Sequence, residues 1–204
     1  VLREDGRKVL AKTTGSEARL IFPDGAETEV HRLGAPSVLE QRKLLARGAR
    51  LGVDAVVAEV MSVHPEAHRV ESRRILVPHL VLVTNFRVDH SAAQGDTRES
   101  VARVLALDVP AGARALVLDE EWEPEFEREV VRGGGTVERV AAGAGRAEAG
   151  PAYDPGECGE FGPNLDLVWA AARSLGVDAG TIRAGICRAR GDLGALRVWR
   201  YPRE

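Results

Sequence analysis

Residues 80–90 read LVLVTNFRVDH. Four apolar residues without alternation run into Thr84-Asn85, and a polar loop follows that closes in Asp89-His90. An apolar run this short predicts a strand buried on both faces, as in a parallel sheet covered by helices. Working outward, residues 54–61 (DAVVAEVM) and 113–118 (ARALVL) repeat the pattern, and 136–140 is a further short strand. The segments between them read as helices. Residues 65–74 have Pro65 in the first turn, Asp96 with Glu99 caps a helix to about 108, and 123–132 starts acidic and stops at three glycines. Strand and helix alternation at this spacing predicts an α/β fold: a mainly parallel sheet flanked by helices.

Upstream, residues 7–14 predict a strand closing in a Thr-Thr-Gly turn. Asp24-Gly25, between 18–23 and 27–33, predicts a small β-hairpin near the N-terminus. Ser37 and Glu40 fit a capping box, opening a helix that Gly52 ends. Downstream, 141–163 is rich in Gly, Ala and Pro and predicts a flexible loop. Two helices follow at 164–175 and 181–188, and a last strand near Ala195. The expectation is one domain over 1–204, truncated at both ends, because the chain starts and stops inside apparent elements.

Composition narrows the function classes. The 204 residues carry 44% hydrophobic and 29% charged side chains, ordinary for a globular chain. A net charge of −3, with scattered Lys and Arg, argues against a nucleic-acid partner. No run approaches the roughly 18 apolar residues of a membrane span. Cys158 and Cys187 form no disulfide framework, which points to the cytoplasm.

In parallel sheets ligands sit at the carboxyl ends of strands. After the first strand stands Lys12-Thr13-Thr14-Gly15. Gly6 to Thr13 reads G-x-x-x-x-A-K-T, which mimics a phosphate loop but lacks its second glycine and a following helix. The turn reads either as a plain polar turn or as a substrate-facing one. Glu59, among Val56, Val57, Val60 and Met61, needs a cation whether as a structural Glu–Arg pair or as a hard-metal ligand. Asn85 and Asp89-His90 crowd the end of the next strand, where His90 suits a metal or a phosphate and Asp89 suits orienting it. His64 and His68 are four apart but lack a third ligand and read as a solvated helix start, and Trp122, Trp169 and Trp199 read as packing or surface residues.

Taken in order, KTTGSEARLIFPDG, VVAEVMSVHPE, LVTNFRVDH and FGPNLDLVWAAARSLGVD resemble the Mur ligase superfamily, and within it the poly-γ-glutamate synthase (capsule biosynthesis ligase) branch. The resemblance implies a central-domain-like fold and an acid–amino-acid ligase that uses ATP and Mg2+ to join glutamate to a poly-γ-glutamate chain through a γ-glutamyl phosphate. It implies Glu59 and His90 as metal ligands, Asn85 as a catalytic residue shaping the metal and phosphate site, Asn164 facing the nucleotide, and Thr13 and Thr14 on the substrate side. It also implies membrane subunits of a capsule complex as partners, at the inner face of the membrane. The family's phosphate loop would lie just before Val1, and its late Pro-Asp-Pro-Gly element is met only by residues 190–194 (RGDLG). The chain by itself is therefore expected to be inactive. Two other readings stay open: a non-catalytic scaffold derived from such a ligase, and a folylpolyglutamate-type ligase.

Overall fold

The computed structural model describes residues 1–15, 17–32, 34–149 and 162–189. Cys158, Trp199, the 190–194 element, the strand expected near Ala195 and part of the 141–163 segment lie outside the described residues. Among the described residues seven strands form two sheets. The first has the order β3-β2-β1-β4, from β1 (Val9–Lys12), β2 (Arg19–Ile21), β3 (Glu27–Glu29) and β4 (Ala55–Ala58). The second has the order β5-β6-β7, from β5 (Leu80–Val83), β6 (Arg114–Leu118) and β7 (Thr136–Val140). β1 and β4 are parallel, as are all three strands of the second sheet, whereas β1, β2 and β3 form an antiparallel meander. The α/β expectation and the N-terminal hairpin are both realised. Asp24 accepts a hydrogen bond from the Ala26 N–H, and Gly25 takes a positive φ of 89° at the hairpin tip.

Helix α1 (Leu39–Leu51) buries Gln41, Leu44 and Gly48 against the first sheet. Gly48 lets α1 approach closely there, since a Cβ would come 3.1 Å from Val53 and 3.2 Å from Val56 and push their side chains back by a few tenths of an ångström. Gly52 closes α1 in the left-handed conformation, as expected. Helix α2 (Pro65–Val70) carries on as a π-helical stretch, Glu71–Leu76, where a single helix over 65–74 was expected. Past the short α3 (Ser91–Gln94), α4 (Arg98–Leu105) takes Thr97 and Ser100 as its capping box, one residue later than the Asp96–Glu99 pairing. Helix α5 (Pro124–Arg132) and α4 cover the second sheet around Phe86, Val101, Ala115, Val117, Phe126 and Val130.

β4 and β5 correct the expectation of strands buried on both faces. Each is an edge strand of its sheet, and Val57 is 49% and Leu82 40% exposed. Of β5 only Val83 is buried; β6, between β5 and β7, is the one that matches the pattern. A run of aliphatic residues records the tendency to be covered, but pairing on both edges and helices on both faces decide whether it is.

The 141–163 stretch also differs in part. Ala144–Ala149 forms a short helix, α6, that packs on α7 (Gly162–Ser174). Asp166 accepts hydrogen bonds from the Gly143 and Gly145 N–H groups at 2.8 and 2.9 Å, and Gly145 sits against Trp169 where a Cβ would come within 3.2 Å. Composition alone missed this clamp because its partner lies twenty residues further on. Helix α8 (Ala179–Cys187), capped by Asp178, packs with α7 and the N-terminal Val1 and Leu2.

Candidate functional site

Residues singled out in the sequence gather at two corners. At the first, the ends of β1 and β4 meet. The Thr14 N–H donates to Glu59 Oε2 at 2.6 Å, and the Glu59 N–H donates to the Lys12 carbonyl at 3.0 Å. Thr13 Oγ1 accepts from the Arg19 N–H at 2.9 Å, which fixes the Thr-Thr turn. Glu59 is exposed, and no arginine pairs with it among the described residues. One carboxylate oxygen is thus held by a backbone amide, and the other is open to an incoming group.

A buried polar group supports this corner. Glu71 is fully buried, and its carboxylate accepts from Gln41 Nε2 (2.7 Å), the Met61 N–H (3.1 Å) and Ser62 Oγ (2.5 Å). Gln41 Nε2 also donates to the Glu59 carbonyl at 3.0 Å. The turn after β4 is therefore tied through Glu71 to α1. His68, read from sequence as a solvated helix start, is instead buried and bonded through Nδ1 to Asp108 at 2.8 Å, with Ser72 Oγ on the other Asp108 oxygen at 2.7 Å. Reading the sequence alone did not single out Glu71 or Gln41. Glu71 stands among Glu66, His68, Arg69, Arg73 and Arg74, so nothing local marks it as buried or announces its donors.

The second corner is a cavity of about 340 Å3 lined by Thr84, Asn85, Arg87, Leu118, Glu121 and Asn164, among others. Asn85 and Asn164, more than seventy positions apart in the chain, are brought together here. Asn85 Oδ1 accepts from the Arg87 N–H at 3.0 Å, so the residue turns the chain out of β5. Phe86 anchors that turn: it is fully buried, with its ring centroid 5.1 Å from that of Phe126 and the two rings tilted by 53°. Asn85 Nδ2 also donates to Thr84 Oγ1 at 3.3 Å, and the two carboxamides together carry both donor and acceptor groups into the cavity.

His90 makes no described contact with either corner. Its backbone is left-handed (φ 49°), and its exposed ring lies 3.8 Å from the Asp89 carboxylate. Among the described residues no three His, Cys, Asp or Glu side chains converge to hold a metal ion. Magnesium needs no such cage, since it takes one or two carboxylates and fills its shell with water and phosphate. Glu59, exposed and with one free oxygen, has the donor chemistry for that arrangement; His90 supplies a ring nitrogen without a described contact to Glu59.

Next to the first corner lies a larger groove between the hairpin and α1, about 580 Å3 in volume. Lys12 lies at its base, only 3% exposed, with Nζ 3.3 Å from Glu40 Oε2. Arg32 binds the same carboxylate through Nε at 2.8 Å and Nη2 at 3.1 Å. Glu40 was read as half of a capping box with Ser37. It keeps a weak contact with the Ser37 N–H at 3.4 Å, and Ser37 Oγ accepts from the Leu39 N–H at 3.3 Å, but Arg32 and Lys12 hold the carboxylate more closely. The Arg32 guanidinium, with Lys12 second, holds the Glu40 carboxyl down at about 2. A depressed carboxyl stabilises the fold above its unfolded pKa, and that contribution is lost as pH falls from 4.5 towards 2. Comparing the wild type with Glu40→Gln by urea unfolding, we expect a difference on the order of 2 kcal/mol at neutral pH that shrinks by more than half near pH 3. A difference that does not change with pH would exclude this coupling.

No family profile matches the sequence. The capsule biosynthesis protein CapB of Bacillus anthracis is 28% identical over 203 residues, 98% of this chain and 43% of that protein. The chain is similar to CapB along nearly its whole length. A second relative, the PGA synthase CapB of Bacillus subtilis (strain 168), is 26% identical over 200 residues, 97% of this chain and 50% of that protein. The chain thus spans about half the length of the CapB relatives it matches. In three dimensions, Escherichia coli FolC in complex with DHPP and ADP superposes with a TM-score of 0.62 over 92% of this chain and 52% of its own, at 16% identity. The chain therefore shares a Mur-ligase-like α/β fold with FolC, as the motifs implied. Among the described residues no helix is long and apolar enough to cross a membrane.

Proposed function

We propose that the polypeptide carrying this chain is an ATP- and magnesium-dependent ligase that extends poly-γ-glutamate. The observation that carries the reading is the CapB relationship along nearly the whole chain. The two corners support it by their chemistry. In the reaction, the terminal γ-carboxylate of the polymer takes the γ-phosphoryl group of ATP and ADP departs. The amine of an incoming glutamate then attacks the acyl carbon, phosphate leaves, and the amine gives up a proton as the amide forms. Bound magnesium would offset charge on the transferred phosphoryl group.

In this reading Asn85 and Asn164 line the nucleotide side, and Glu59 presents one carboxylate oxygen to the metal, oriented by the Thr14 N–H. His90 would supply a second ligand through its ring nitrogen. Thr13 and Thr14 face the acceptor. Membrane subunits on the cytoplasmic side would take up the finished polymer. The fold shared with FolC leaves a folate-type acceptor as the competing reading, and the assay separates the two.

The test is ATP-dependent incorporation of labelled glutamate into γ-linked polymer, with a pteroate acceptor in a parallel arm. We expect polymer labelling, loss of about a hundredfold in kcat for Glu59→Gln, and about a tenfold higher KM for ATP in Asn164→Ala. Labelling of the pteroate arm alone would transfer the assignment to the folate class, and labelling of neither would leave a non-catalytic scaffold.

A further inference from the structure

The groove beside the first corner has a charge pattern that the ligase chemistry does not use. It holds five cationic side chains, Lys12, Arg32, Lys43, Arg47 and Arg50, against the single carboxylate of Glu40. The chain as a whole has a net charge of −3, so this concentration runs against the molecule's balance. Glu40 serves Lys12 and Arg32. Lys43, Arg47 and Arg50 are exposed and have no acidic partner among the described residues. They follow one another at i, i+4 and i+7, one ridge of α1.

The opposite wall excludes competing carboxylates. β1 and β2 pair Lys12 with Leu20, and β2 and β3 pair Leu20 with Thr28. Leu20 and Lys12 therefore face α1, while Glu27 and Glu29 share the other face of the sheet with Ile21 and Arg19. Leu20, Val30 and Leu44 supply an apolar floor.

We propose that this groove binds the polymer itself: an extended γ-linked glutamate chain whose methylenes lie on the apolar floor and whose α-carboxylates meet the α1 ridge. Spacing favours this occupant. Residues four apart on a helix are separated by about 6 Å along its axis. An extended α-peptide advances about 3.5 Å per residue, and the two extra backbone carbons of a γ-linkage bring its repeat to about 6 Å. Lys12 at the groove's inner end is followed directly by Thr13 and Thr14, and the Thr14 N–H holds Glu59. A chain lying on the ridge thus leads its end to the first corner. This assignment rests on the poly-γ-glutamate reading, but it is tested by binding without turnover.

The experiment measures binding of a fluorescent γ-glutamate oligomer of about ten residues to the 204-residue chain at low and moderate salt, with tripolyphosphate as the probe for a phosphate ligand. Lys43→Glu with Arg50→Glu reverses two exposed charges, with thermal melting as the fold control. Binding by the wild type, weakened roughly tenfold in the double variant and with a shallower salt dependence, is the expected result. Should the reversal disturb folding, Lys43→Gln alone is expected to weaken binding roughly threefold, while Lys43→Arg retains it. Unchanged affinity in the charge variants, no binding at low salt, or displacement by tripolyphosphate at lower concentration than by unlabelled oligomer would each overturn the assignment. Loss of ligase activity with groove binding intact would instead count against the enzymatic reading alone.

Discussion

Glu71→Ala is expected to lower the folding free energy by about 4 kcal/mol, equivalent to a melting temperature roughly 10 °C lower for a chain of this size. The carboxylate is fully buried and accepts from Gln41 Nε2, the Met61 N–H and Ser62 Oγ. Truncation leaves these donors without an acceptor in a site from which water is excluded. Each orphaned donor costs about 1–3 kcal/mol, and a cavity term adds to that. Glu71→Gln keeps the volume but turns an amide towards donors, so its loss is expected to be about half as large. Urea unfolding gives both values. A loss below about 1 kcal/mol for the alanine variant would mean that water or a shifted side chain replaces the carboxylate. The consequence extends to the site, because Gln41 also holds the Glu59 carbonyl. Loosening this tie frees the Glu59 side chain to leave the Thr14 N–H.

Phe86→Ala is the second large effect, expected to cost about 3–5 kcal/mol. Phe86 is fully buried and packs against Phe126, which joins the end of β5 to helix α5. A ring pair of this kind adds about 1 kcal/mol to the area it buries. Phe86 also follows Asn85 directly, so removing the ring releases the backbone that aims Asn85 into the cavity. Phe86→Leu restores most of the volume and is expected to recover more than half of the stability. Calorimetry of the two variants, together with titration of the nucleotide, separates the two consequences. If the alanine variant is destabilised while its nucleotide affinity equals that of the wild type, Phe86 has no part in placing Asn85.

The two effects differ in how visible they were beforehand. Phe86 stands in the quoted strand-end segment, and an aromatic flanked by polar residues after an apolar run invites the reading of an anchor. Glu71 sits in a helix whose partners come from α1 and from the turn after β4, ten to thirty positions away. The same distinction explains the other differences. Glu40 and Ser37 have capping-box spacing, yet Arg32 and Lys12 hold the carboxylate more closely. The Gly- and Ala-rich segment after β7 lacks core residues of its own, yet Asp166 gathers its amides into helix α6. Val57 and Leu82 have the side chains of covered strands, yet lie on edge strands of two separate sheets.

By itself the sequence determined the parallel α/β class, the hairpin at Asp24-Gly25, and the strand ends at which polar residues collect. Each of these follows from local rules: side-chain periodicity, glycine's tolerance of positive φ, and the change from apolar run to polar loop. Tertiary structure alone decided which of those polar residues meet. It brought Asn85 and Asn164 to one cavity and Thr14 to Glu59, gave His90 no described contact with either, buried His68 and Glu71, and set three cations without a described acidic partner along one groove. The physical reason is that hydrogen bonds and ion pairs are short-ranged, so their partners are fixed by packing between elements distant in the chain, a relation that no single segment encodes.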